Sequence, residues 1–235
     1  MARKQDAENG SGNATPEPTA RVIELKSLDT AFSVKAGDEG TARRRLMTLL
    51  AYPVENGRRG ANEILRAQNT AGETFACKIL APSPADADPQ VRRGREAALY
   101  EEYRNQLAVS YLRGFPTALG YGTTQAGDPL ILMEWVDGPT LYRALPLLAG
   151  ETGNDGEARC PAQAVAAVGA SVLATLVATT HLDGLFAHRD ISPRNIMLRG
   201  DAAGLAERVA DGTLETCLID LGSSIFLRGE DASSP

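Results

Sequence analysis

Eight consecutive residues concentrate reactive groups: His188-Arg189-Asp190-Ile191-Ser192-Pro193-Arg194-Asn195. A carboxylate at Asp190 can accept a proton, and the carboxamide of Asn195, five positions on, offers a neutral oxygen donor. A second acid, Asp220, ends the apolar run Leu218-Ile219 and precedes Leu221-Gly222. A lysine closes Phe75-Ala76-Cys77-Lys78, and an apolar run, Leu130-Ile131-Leu132-Met133-Glu134-Trp135-Val136, leads into Asp137-Gly138. Hard oxygen donors suit a divalent cation, and a lysine suits phosphate.

Taken singly, a strand lysine or a strand-ending Asp-Leu-Gly is common, whereas the octet, with four fixed residues between a helix and a short apolar strand, is far more specific. Together, and in this order, they resemble the signature set of the protein-kinase-like superfamily. The octet matches the catalytic loop H-R-D-x-x-x-x-N, Asp220-Leu221-Gly222 the D-F-G motif, and Phe75–Lys78 the V-A-I-K strand. Leu130–Gly138 matches the segment joining the two kinase lobes, and the resemblance spans roughly residues 41–235. It implies a Mg-ATP phosphotransferase, with ATP and Mg²⁺ as cofactors, moving the γ-phosphoryl group to a hydroxyl. Asp190 would orient that hydroxyl and take its proton, while Asn195 and Asp220 would hold the metal. Lys78 would meet the α- and β-phosphates, steadied by a helix carboxylate assigned to Glu96, with Glu101 as second choice. Ala76 would admit the adenine ring and Met133 would guard the pocket. The backbone of Glu134 and Val136 would face the adenine edge. A protein serine or threonine is the implied acceptor; a small-molecule acceptor or a non-catalytic nucleotide-binding pseudokinase are the alternatives.

The chain departs from the family pattern in three places. Only Gly57 and Gly60, with Arg58 and Arg59 between them, stand where a glycine-rich phosphate loop is expected. Ser192 replaces the lysine usual two residues after the catalytic aspartate. Thirteen residues follow Gly222, so the resemblance implies a kinase domain cut off before its activation segment and later helices.

The elements that must position these groups follow from hydrophobic periodicity. Strands are expected over Leu46–Val54, Glu63–Ala67, Thr74–Leu80, Thr117–Tyr121 and Leu130–Trp135, with a turn at Gly57–Gly60. On the third of these, Phe75, Cys77 and Ile79 share one face and Ala76, Lys78 and Leu80 the other. Asp88 caps a helix running to about Val109, with Pro89 at its first position. The uncharged, Ala-rich stretch Pro161–Leu182 reads as a buried core helix. Ile196–Leu198 pairs with Leu214–Ile219 as a hairpin, joined by a long connection from Gly200 to Gly212. The expected fold is therefore α+β and bilobal, like a protein kinase. A five-stranded antiparallel lobe with one helix occupies residues 21–136, a partial, mainly helical lobe occupies 137–235, and residues 1–20 form a disordered tail.

Composition narrows the partners. A net charge of −6 and a pI near 5.1 offer no basic face for nucleic acid. Three scattered cysteines fit neither a disulfide framework nor a zinc site and suit a cytoplasmic location. The N-terminus lacks the apolar stretch of a signal peptide, and no membrane segment is expected.

Overall fold

The computed structural model describes residues 19–31, 45–59, 62–149 and 160–227. Its dominant feature is a closed barrel of six strands: β1 (Arg21–Thr30), β2 (Thr48–Arg59), β3 (Asn62–Gln68), β4 (Thr74–Leu80), β5 (Ala118–Thr124) and β6 (Pro129–Glu134). They close in the order β1-β2-β3-β4-β6-β5, and each adjoining pair is antiparallel. Alternate residues point inward, so Ile23, Leu25, Leu28, Leu49, Leu65, Cys77, Leu130 and Leu132 fill the interior.

This barrel overturns the expected kinase-like bilobal fold with its five-stranded open sheet. The difference lies in β1. Its apolar residues fall at 23, 25 and 28 because a bulge between Leu25 and Ser27 shifts the register, which hides the period of two. Residues 21–24 pair with β2 and residues 25–30 with β5, so this one strand seals both edges. The seal needs glycines opposite it: a Cβ on Gly120 would lie 2.7 Å from the Asp29 carbonyl oxygen, and one on Gly122 would lie 2.4 Å from that of Ser27. The expected turn at Gly57–Gly60 is also displaced. Arg58 and Arg59 continue β2, paired with Glu63 and Asn62, while Gly60 lies outside the described residues.

Helix α1 (Pro89–Val109) lies against the barrel. Asp88 caps it, accepting from the Gln90 N–H at 2.7 Å. Its Leu99 and Tyr103 pack with Leu80, Ala118 and Ile131, and Gln106 donates to the Pro116 carbonyl.

Beyond β6 the described chain is not mainly helical. It contains α2 (Leu141–Leu148), α3 (Ala162–Ala178) and the short α4 (Leu205–Ala210), the last inside the stretch expected to be a plain connection. Among and after them come four three-residue strands: β7 (Leu185–Ala187), β8 (Ile196–Leu198), β9 (Thr216–Leu218) and β10 (Ile225–Leu227), the last two following α4. β8 pairs with β9 and β7 with β10. A second core gathers Phe115, Ala144, Val168, Ile196, Leu198 and Leu221.

α3 is not the buried core helix expected. Ala164, Val168 and Thr175 are buried, but Val165, Leu173 and Val177 are 60%, 62% and 61% exposed. By length and composition, Ala162–His181 meets the requirement for a membrane span. Most of the 1–20 tail and the polar insertion at 150–159 lie outside the described residues.

Candidate functional site

Lys78 is the centre of the site. Strand alternation that sends Cys77 and Ile79 into the barrel turns Lys78 outward, where α1 and the Asp220 turn cover it to 4% exposure. Its ammonium donates to Glu102 Oε1 at 2.5 Å and to Asp220 Oδ1 at 2.8 Å. Burial acts to lower the Lys78 pKa, but the two carboxylates outweigh it and raise it. Burial also pushes the Glu102 carboxyl up, against the pull of Lys78 and of the Leu221 N–H. We read the pair as ionised, because Lys78 sits between two acids and keeps its proton.

The helix carboxylate is thus Glu102 and not Glu96. Glu96 Oε1 accepts from Arg92 Nε at 2.7 Å, one helical turn away, and Arg92 also reaches Asp128 at 3.1 Å. Glu101 is exposed and pairs with Arg104. A signal for the right choice existed: Leu99, Glu102, Tyr103, Gln106 and Val109 form the buried stripe of α1, spaced by three and four. Glu101 lies off that stripe; Glu96 is in phase with Leu99 and Tyr103 but falls before the first buried residue of the helix.

The other reactive groups arrive through β8 and β9. Ile196 stands opposite Leu218, and the Ile219 N–H donates to the Asn195 carbonyl at 2.9 Å. This places the end of the His188–Asn195 octet beside Asp220, although 24 residues separate them in the chain. Asn195, 3% exposed, donates from Nδ2 to Asp190 Oδ2 at 2.7 Å and to the Asp190 carbonyl at 3.0 Å. Both partners are acceptors, so the amide nitrogen faces Asp190 and the amide oxygen faces away from it. Asp190 itself is exposed. His188 is 2% exposed; burial lowers its pKa, and its Nδ1 accepts from the Asp190 N–H at 3.4 Å.

Two non-glycine residues here hold left-handed backbone, Arg189 at φ 64° and Asp220 at φ 67°. Such conformations cost about 1–3 kcal/mol each and concentrate at functional sites. Among described residues these are the only two with positive φ besides glycines; Arg189 lies inside the octet, next to Asp190, and Asp220 lies two residues past β9.

Ala76 and Met133 are cross-strand partners, as are Ile64 and Lys78, and Arg66 and Ala76. Cross-strand partners share a face, so Ile64 and Arg66, neither singled out from sequence, line the same side as Ala76 and Lys78. Val136 is buried. The Glu134 side chain does something the sequence did not suggest. It accepts from Arg199 Nη1 at 2.6 Å and from the Thr117 N–H at 3.0 Å, tying β6 to the residue after β8. Burial works to raise its pKa, but Arg199 and Thr117 prevail and hold it below the usual 4.5.

The donor set suits a magnesium ion. Asp220 and Asn195 contribute hard carboxylate and amide oxygens, and Mg²⁺ commonly takes one or two protein oxygens plus phosphate oxygens and water. Among the described residues no group of three or more His, Cys, Asp or Glu side chains gathers, so a cation here would depend on that pair and on ligand oxygens. No protein-family model matches the chain, and no curated protein matches it.

Proposed function

We propose that this protein is a Mg-ATP-dependent phosphotransferase that moves the γ-phosphoryl group to a hydroxyl. One observation carries the reading: Lys78, Glu102 and Asp220, drawn from a strand, a helix and a distant turn, meet within hydrogen-bond distance beside the Asp190–Asn195 loop. Burying a lysine beside two acids carries a desolvation cost, and such charge clusters concentrate at functional sites. Lys78 takes the α- and β-phosphates, and Asn195 and Asp220 hold Mg²⁺, which neutralises phosphate charge when bound. Asp190 hydrogen-bonds the acceptor hydroxyl and receives its proton as the new O–P bond forms and the γ-phosphoryl leaves the β-phosphate oxygen. The base lies against Ala76, Met133 and Val136.

A protein serine or threonine is the acceptor proposed. Ser192, in place of a lysine near the transferred group, favours a small-molecule acceptor as the second reading.

The test is ligand-induced stabilisation. Mg-ATP at a hundred times its Kd should add about 2.7 kcal/mol of stability. Asp220→Ala should lose most of the shift, whereas Asp190→Ala should keep the shift and lose transfer. No shift in the unmodified protein would overturn the reading.

A further inference from the structure

A second recognition surface lies outside the Lys78 site. On the outer face of the barrel, Tyr52, Pro53, Val54, Arg66, Gln68 and Trp135 line an open cavity of about 480 Å³, within the size range of small-molecule sites. Tyr52 and Arg66 are cross-strand partners, which sets both on this face. Trp135 follows β6 directly and is held by its Nε1–H, which donates to Asp137 Oδ1 at 2.9 Å. The Arg66 guanidinium carbon lies 5.6 Å from the centre of the Trp135 ring. Arg66 is exposed, and among the described residues it has no carboxylate partner.

We propose that this shelf binds a small aromatic carboxylate. At this distance the guanidinium is within cation–π reach of the indole, and its N–H donors lie in one plane along its edge. That edge is the geometry a carboxylate takes in a bidentate, charge-assisted pair. The aromatic faces of Tyr52 and Trp135, with Pro53 and Val54, supply the apolar bed for the ring attached to the carboxylate. A bound nucleotide does not meet this demand. Its phosphates belong at Lys78, one cross-strand row along β4 from Ala76, and its base is neutral. The shelf runs along the Arg66–Ala76–Met133 row, from Tyr52 on β2 to Trp135 just beyond β6, so the ligand sits at the base end, away from Lys78, as an effector and not as the phosphoryl acceptor.

Trp135 is the only tryptophan in the chain, so fluorescence excited selectively at tryptophan, beyond the absorption of the tyrosines, reports this shelf. Titration of the full chain with benzoate should give a saturable change. Acetate, which has the charge without the ring, and benzamide, which has the ring without the charge, should each bind roughly tenfold more weakly or not at all. Arg66→Gln should weaken benzoate roughly tenfold and Arg66→Lys nearly as much, because the planar fork is lost. A urea midpoint unchanged in both variants shows that folding is intact, as expected for an exposed side chain. Asp220→Ala should leave benzoate binding as it is, which separates this site from the phosphotransferase reading. The proposal is overturned by acetate or benzamide matching benzoate, by no saturable change, or by undiminished binding in Arg66→Gln.

Discussion

A lysine at 4% exposure keeps its charge only where its partners replace the water it has lost. Lys78 has two such partners, and they are not equivalent. Glu102 is itself buried, with side-chain exposures of 5% and 6% across the pair, while Asp220 is 25% exposed. Removing Glu102 therefore leaves a buried cation with one half-shielded acid. Glu102→Ala should cost about 3 kcal/mol by urea unfolding, at the low end for a broken buried pair because Asp220 remains. Glu96→Gln, which touches only a surface arginine, should change stability by less than about 0.5 kcal/mol. Equal effects would mean that α1 presents a different face to Lys78. The pairing was half legible in the sequence, because Lys78 and a helix acid could be matched by type. Which acid it was depended on the buried stripe of α1, and hence on what packs against the helix.

Short connections hold the functional elements together. The segment after β6 is stitched to β8: the Gly200 N–H donates to the Asp137 carbonyl at 3.0 Å and the Leu198 N–H to that of Pro139 at 2.9 Å. Gly138 sits inside this stitch at φ 129°, where a Cβ would lie 1.9 Å from the Leu198 carbonyl oxygen. Only glycine fits so close an approach, so Gly138→Ala should destabilise the protein by about 3 kcal/mol or more and weaken nucleotide binding with it. A variant with a wild-type midpoint would place Gly138 elsewhere.

The Glu134–Arg199 pair spans the same junction, and its pH dependence has a definite sign. The folded carboxyl is held below 4.5, so the pair contributes stability above the unfolded value and loses it as pH falls through the folded one. The difference in urea midpoint between the unmodified protein and Glu134→Gln should be steady from neutrality down to about pH 5 and shrink below about 4.5. A difference constant to pH 3 would remove the ion pair as its source. The sequence drew attention to Glu134 for its backbone alone, because the partner Arg199 is 65 residues away.

At the scale of the molecule, closure of the barrel is the feature on which the rest depends. A closed sheet has no free edge strand to pair with another chain, and here one irregular strand provides the closure. Leu28 is 1% exposed inside it, so Leu28→Ala should cost about 2–5 kcal/mol in denaturant unfolding; a cost under about 1 kcal/mol would show that β1 is an appendage. Strands β2 to β6, helix α1, its Asp88 cap and the Ile196–Leu198 hairpin strand were readable as local patterns, because alternation, capping and turn chemistry act over a few residues. So were the reactive types: Lys78, Asp190, Asn195 and Asp220. The tertiary structure alone decided that β1 bridges β2 and β5, since a bulge erases the period that sequence reading relies on. It alone decided that Glu102 faces Lys78 and that Arg199 seizes Glu134. Each of those outcomes depends on which surfaces meet across tens of residues, and burial, not local propensity, makes that choice.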